Sequence, residues 1–235
     1  MDTGKGKFLS GIAIMTGLIV LGVMLPVAVR QYSASLRTVS VRGLCEREVT
    51  ADKAIWQIRY KVVGNDLIAV NAEIDTKNAT VMSFLKDGGI DDGEISLAVP
   101  TVSDKYAQEY GSNDRTYRYV VTNTITVCSK QIDKVLALMS SQTELLKKGI
   151  TIETDWGSQP SFYFEALNDI KPEMIEEATK NAREVAEKFA HDSGSRLGKI
   201  KTASQGVFSI EDRDSSTPSQ KKVRVVTSVT YYLSR

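Results

Sequence analysis

PEMIEEATKNAREVAEKFAHDSGSRLGKI, Pro172–Ile200, is the most telling segment of this 235-residue chain. Apolar or small side chains recur at Ile175, Ala178, Ala182, Val185, Ala186 and Phe189, the spacing that draws one stripe along a helix. Pro172 suits the first helical turn, where its missing N–H has no partner to lose. Gly194 suits the left-handed stop. Glu176 with Lys180, and Glu184 with Lys188, stand one turn apart on the polar side. The segment predicts a helix about 33 Å long at 1.5 Å per residue. Its stripe is rich in alanine, so its axis can lie close to whatever it covers. The flanking sequence is strand-like, so the covered surface is expected to be a β-sheet.

Upstream, Val39–Val49 alternates as a strand, and Thr50-Ala51-Asp52-Lys53 connects it to a second, AIWQIRYKVV at Ala54–Val63. In that strand Ile55, Gln57, Arg59 and Lys61 share one phase, and Trp56, Ile58, Tyr60 and Val62 the other. Gly64-Asn65-Asp66 offers a turn and a helix cap. Leu67, Val70, Ile74, Val81 and Leu85 then repeat at helical spacing up to Gly88-Gly89. Ile95–Val102 reads as a short strand, Tyr106–Arg115 as a polar loop or hairpin tip, and Tyr117–Val127 as a strong strand. Ile132, Val135, Leu136, Met139, Leu145 and Leu146 predict one helix ending at Gly149. Ile150–Trp156 and Ser161–Ala166 are further strand candidates. After the long helix come Lys201–Ser209, a polar connection at Glu211–Gln220 containing Thr217-Pro218, and a last strand at Val223–Leu233.

From Ala54 to Trp156 the order is strand, helix, strand, strand, helix, strand, the split βαβ pattern of ferredoxin-like folds. The expected class is therefore α+β. A largely antiparallel sheet carries a ferredoxin-like βαββαβ portion. It is extended by an extra N-terminal strand, the long helix and a C-terminal strand pair, and preceded by one transmembrane helix.

That membrane helix is FLSGIAIMTGLIVLGVMLPVAV, Phe8–Val29, an uncharged run preceded by Lys5 and Lys7. A span needs roughly 20 apolar residues. A cleaved signal usually has a shorter apolar core and a small-x-small site, for which Ser33-Ala34-Ser35 is a weak candidate. The run reads as an uncleaved anchor in preference to a cleaved signal. Positive charges on the two sides, Lys5 and Lys7 against Arg30, Arg37 and Arg42, leave orientation undecided by themselves. A short tail before a long domain places the tail in the cytoplasm. The expected organisation is a cytoplasmic tail at 1–7, an anchor at 8–29, a juxtamembrane linker at 30–37 and one domain at 38–235. The domain would lie in the periplasm, beyond the inner membrane.

Hydrophobic content of 42% and charged content of 25% are ordinary for a folded protein. A formal net charge of +1 creates no field that would recruit nucleic acid. Lys221-Lys222 with Arg224 is the one local basic patch, read as a solvated strand start. The two cysteines, Cys45 and Cys128, are too few for a disulfide scaffold. Alternation puts Cys45 in phase with Val39 and Val41, and Cys128 opposite Ile125 and Val127. The pair is therefore expected on different strand faces, as unpaired thiols.

The residues together resemble the SIMPL domain family, the YggE-like and periplasmic immunogenic proteins of bacteria. The resemblance runs from Val39 to Leu233. It is carried by VSVRGLCEREVTADKAIWQIRYKV, by a helix with Asn78 and Leu85 leading to Gly89-Ile90 and Ile95, and by YRYVVTNTITV followed by Ile132, Lys134 and Val135. The long alanine-rich helix closing on Gly194 and Leu197-Gly198-Lys199-Ile200, and the final VRVVTSVTYYL, complete it. Cys45 departs from the small residue, commonly glycine, expected there. The resemblance implies a cell-envelope protein of poorly defined molecular role, associated with oxidative-stress tolerance, some of whose relatives form ring or channel-like homo-oligomers. It implies no catalytic, cofactor-binding or metal-binding residues.

The remaining candidates for chemistry are sparse. His191 is the only histidine. A Ser-His-Asp hydrolase would have to use it, and no G-x-S-x-G elbow occurs. Its position suits the C-terminal end of a helix dipole. Asp91, Asp92 and Glu94 lack the ligand ladder of a calcium loop and read as a solvated turn. Asn78-Ala79-Thr80 matches a glycosylation acceptor in the middle of a helix. Cys45, near Arg47, could serve as a peroxidatic thiol only if exposed. Tyr106, Tyr110, Tyr117 and Tyr119, with the aromatic segment Trp156–Tyr163, could form a ligand- or peptide-binding surface. The expected function is a non-enzymatic, homo-oligomeric envelope protein with no cofactor and no metal. The alternatives are an envelope binding module and a thiol-dependent peroxide scavenger using Cys45.

Overall fold

A computed structural model describes residues 15–26, 37–107, 116–153 and 159–234. Residues 15–26 are helical and exposed. Among the described residues no helix is long and apolar enough to cross a membrane. The rest of the expected anchor Phe8–Val29, and all of the linker except Arg37, lie outside the described residues. The chain divides into two compact units.

One unit takes in residues up to Arg47, Lys171–Ser209 and Arg224 onward. Its sheet has the order β1 (Thr38–Thr50), β9 (Gln220–Ser234), β7 (Arg196–Gln205). The latter two pair antiparallel, with Ala203 opposite Val229. The long helix here is α4, Leu167–Asp192. It starts five residues before Pro172, which sits inside it. Gly194, at φ +63°, stops it in the left-handed conformation expected. The Gly194 and Ser195 amides donate back to the carbonyls of His191 (3.0 Å) and Ala190 (2.8 Å).

The buried row of α4 is Met174, Ala178, Ala182, Ala186 and Ala190, one residue in every four. Val185 and Phe189 belong to the expected stripe but are 38% and 59% exposed. A row of every fourth residue winds about 40° round the helix per step, at 3.6 residues per turn. The contact line therefore turns away from Val185 and Phe189. Ala182 and Ala186 pack with Val41, Val229 and Tyr231. At Gly43 the helix comes so near that an added Cβ would lie 1.8 Å from the Ala178 carbonyl oxygen.

The other unit takes in Glu48–Ile170 and Ile210–Val223. Strands β2 (Lys53–Gly64) and β5 (Tyr119–Ser129) form its centre. They are antiparallel over the full run from Ala54 opposite Ser129 to Gly64 opposite Tyr119. Strands β3 (Ile95–Leu97) and β4 (Thr101–Asp104) pair with the far side of β5. Strand β6 (Ser161–Tyr163) and a bridge from Ile152 to Tyr60 flank β2. This is the expected ferredoxin-like order. The expected single strand Ile95–Val102 is broken around Pro100, which has no N–H to give a ladder. Ile150–Trp156 contributes only the bridge at Ile152, and residues 154–158 lie outside the described residues.

Helix α1 (Leu67–Asp87) covers one face of this sheet through Val70, Ile74, Val81, Phe84 and Leu85. Asp66 caps it by accepting from the Ile68 amide at 2.8 Å. The expected helix from Ile132 to Gly149 is two: α2, Ile132–Ser140, and α3, Thr143–Lys147. At the break the Ser140 and Ser141 hydroxyls donate to the Leu136 and Ala137 carbonyls, a local competition that loosens a helix. Strand β8 (Ser209–Asp212) pairs with β9. The strands expected to extend one sheet instead build a separate sheet of four strands, while the ferredoxin-like sheet has five.

Candidate functional site

At the end of β4 the chain enters the loop expected at Tyr106–Arg115, of which residues 108–115 lie outside the described residues. Arg118 closes its base. Its Nη2 and Nε donate to Asp104 Oδ2 at 2.9 and 3.1 Å. Its guanidinium carbon lies 4.9 Å from the Tyr119 ring centre and 5.8 Å from that of Tyr106. Asn65 Oδ1 accepts from the Arg118 amide at 2.9 Å. The Arg118 hydrogen bond holds the Asp104 carboxyl below the usual carboxylate range. Two of the four expected tyrosines thus flank a cation, while Tyr117 is exposed. Sequence reading missed Arg118. The signal available was an arginine placed between two tyrosines.

Cys45 and Cys128 are both free thiols, one buried and one exposed, as strand alternation predicts. Cys45 is 2% exposed and hydrogen-bonded to Glu177 of α4. Arg47 binds Glu173 at 2.8 Å and approaches Glu177 at 3.6 Å. Burial, then the Glu177 hydrogen bond, pushes the Cys45 thiol up to about 11. A peroxidatic cysteine needs the opposite shift and an open path. Cys45 is thus built as a packed, protonated thiol.

Between α1 and the central strands lies a polar triad. Tyr60 Oη donates to Asn78 Oδ1 at 2.7 Å, and Asn123 Nδ2 donates to Tyr60 Oη at 3.1 Å. Asn123 Oδ1 is buried with no partner in the structure. Asn78, the first residue of the glycosylation-like triplet, points its side chain into this network. Its chemistry is positional, because buried polar groups that must meet fix one register of helix on sheet.

A cleft of about 470 Å³ opens between β6 and the β8–β9 hairpin. Phe162, Tyr163 and Phe164 line it from one side, and Ile210 from the other. Of the expected aromatic segment Trp156–Tyr163, Phe162 and Tyr163 are placed here, and Trp156 lies outside the described residues. Lys221, expected to be solvated, is only 7% exposed and forms an ion pair with Asp212. Glu165 binds Lys53 at 2.8 Å. Arg224, also of the expected basic patch, stands 3.6 Å from Glu46.

The other candidates stand apart from these. His191 is exposed and lies 3.4 Å from Asp192. Asp91 and Glu94 close a turn, with Glu94 accepting from the Asp91 amide at 3.2 Å, and Asp92 binds Lys86 at 2.7 Å. Among the described residues no group of three or more His, Cys, Asp or Glu stands close enough to hold a metal ion.

A family model described as SIMPL, a protein of unknown function (DUF541), matches residues 39–231. The chain belongs to the SIMPL family. The match spans both compact units and every strand from β1 to β9. A relative carrying the description "Uncharacterized protein YggE", from Edwardsiella ictaluri, is 22% identical over 158 residues. That likeness covers 67% of this chain and 63% of the relative. The chain thus spans under two thirds of that relative's length.

Proposed function

We propose that this SIMPL protein is a non-enzymatic, homo-oligomeric component of the bacterial envelope. It is held in the inner membrane by Phe8–Val29, with its folded part in the periplasm. Its role there is structural or protective against oxidative damage. The observation that carries the assembly is the edge strand β7. It has ten residues, nearly all exposed, and it lies at the end of the order β1, β9, β7. A long edge strand presents unpaired backbone groups that template another chain. Ile200, half exposed on this strand, adds apolar surface. The uncharged length of Phe8–Val29 supports the anchor.

The test is light scattering coupled to size exclusion on the full chain in a non-ionic detergent. A discrete assembly that Ile200→Asp reduces, with the melting temperature unchanged, is the expected result. A monomer at all concentrations overturns the scaffold reading. Protease protection of the domain in sealed spheroplasts tests the placement. Cleavage from the periplasmic side is expected, and protection until lysis overturns it.

A further inference from the structure

The sheet of β1, β9 and β7 has one covered face and one open face. Val41, Val229 and Tyr231 pack under α4. Side chains alternate along a strand, so Arg42 and Leu44 of β1, and Ser228, Thr230 and Tyr232 of β9, point the other way. Strand β9 lies between β1 and β7, yet these three of its residues are only half-buried, and Arg42 and Leu44 are exposed. A packed layer over this face would bury the central strand, as α4 buries Val229 and Tyr231 on the other. Strand β7 adds to the open face. Arg196 stands opposite Ser234, and the Lys201 ammonium lies 5.7 Å from the Tyr232 ring centre. Lys199 is exposed in the first of two places where β7 carries one residue more than β9.

The end of the sheet where β1 starts is cationic without a counter-charge. Neither β7 nor β9 contains an Asp or Glu, and β1 has none before Glu46. Arg42, Arg196, Lys199 and Lys201 are exposed, and none of them pairs with a carboxylate among the described residues. This is also the end at which the chain arrives from the proposed anchor. The Leu233 amide donates to the Arg37 carbonyl at 2.9 Å, immediately before β1. Residues 30–37 reach at most about 29 Å when fully extended, so a bilayer holding Phe8–Val29 stays within that distance of these cations.

We propose that this open face rests on the anionic phospholipid surface of the bilayer that holds the anchor; the inference depends on the anchor reading above. Arg42, Arg196, Lys199 and Lys201 meet lipid phosphates, and the Tyr232 ring sits at headgroup level. The edge backbone of β7, which the scaffold reading uses, stays available. Side chains leave a strand on its faces, and unpaired backbone groups leave it at the edge.

The experiment places the full chain in nanodiscs, one chain to a disc, so that pairing between copies cannot imitate the result. The discs are phosphatidylcholine alone, or a two-to-one mixture with phosphatidylglycerol. A short pulse of an acylating reagent marks accessible lysines, and mass spectrometry reads each site. Lys199 and Lys201 should acylate about tenfold more slowly in the anionic discs, with Lys180, on the polar side of α4, unchanged. Salt at 1 M, where the screening length is about 3 Å, should return both to the neutral-disc rate. Arg196→Gln keeps both reporting lysines and should weaken their protection about fivefold, the loss of one cation at the surface, at an unchanged melting temperature. Equal labelling in the two kinds of disc overturns the docking and leaves the anchor standing. Slowing that persists in 1 M salt or in Arg196→Gln, or that extends equally to Lys180, also overturns it. A chain that enters neither disc overturns the anchor, and the docking with it.

Discussion

Gly43 of β1 lies directly beneath Ala178 of α4, so close that a Cβ on Gly43 would stand 1.8 Å from the Ala178 carbonyl oxygen and 2.5 Å from the Ala182 nitrogen. Those neighbours are backbone and cannot swing aside. Gly43→Ala must therefore lift the helix or distort the strand. A loss of at least about 2 kcal/mol is expected, as for overpacking a filled core. Thermal unfolding reads it, at roughly 2–4 °C per kcal/mol for a chain of this size. Val185→Ala, on the exposed flank of the same helix, should change stability by less than about 0.5 kcal/mol. A Gly43→Ala variant as stable as the parent would show that the helix does not sit this close.

The two thiols should separate by reactivity. Cys128 is expected to react with a maleimide in the native protein, and Cys45 only after unfolding. Mass spectrometry of the labelled chain decides it. The Cys45 thiol is raised in the folded state, so its contribution to stability is complete below the ordinary thiol range near 8.5. That contribution is lost as pH rises through about 11. Cys45→Ser should flatten that alkaline decline in the unfolding curve. Native labelling of Cys45 as fast as Cys128 would reverse this assignment.

Tyr60→Phe removes the hydroxyl that bonds both Asn78 and Asn123. Buried Asn123 and half-buried Asn78 then each lose one partner and keep only their direct bond to each other, and a loss of about 1–3 kcal/mol is expected in chemical denaturation. Amide exchange should quicken most in α1, whose Asn78 the triad holds. Unchanged stability would mean that water replaces the phenol.

Arg118→Ala should release the base of the loop at Tyr106–Arg115 without unfolding the sheet. Cleavage by a protease between Lys105 and Arg118 should rise severalfold at a nearly unchanged melting temperature. Arg118→Lys should restore only part of the protection, because an ammonium cannot make the paired contact with Asp104. Equal cleavage of parent and Arg118→Ala would remove the clamp.

Much of the ferredoxin-like unit was legible in the sequence, because its cues are local. Alternation in Ala54–Val63 set Trp56, Ile58, Tyr60 and Val62 on one face of the strand, and that face lies in the core. Asp66 announced a cap and Gly194 a stop. The pairing of strands was less legible. Nothing in Val39–Val49 or Val223–Leu233 states which sheet they join, since pairing is set by contacts far apart in sequence. The break between α2 and α3 depends on two serine hydroxyls turning back on their own helix, which spacing cannot reveal. The same limit hid the cleft. Lys221 reads as a surface charge until β8 supplies Asp212.

Beyond Met174, the inner row of α4 is alanine alone, while Val185 and Phe189 face out. Hydropathy alone would rank these positions the other way. Substitution tolerance along the helix should therefore run against volume rather than polarity. Serine or glycine is admissible at Ala178, Ala182 and Ala186 where leucine is not, while the outer flank accepts almost any residue. A relative that has enlarged one inner alanine should show a compensating loss of volume on the strand beneath, and Gly43 leaves nothing there to lose.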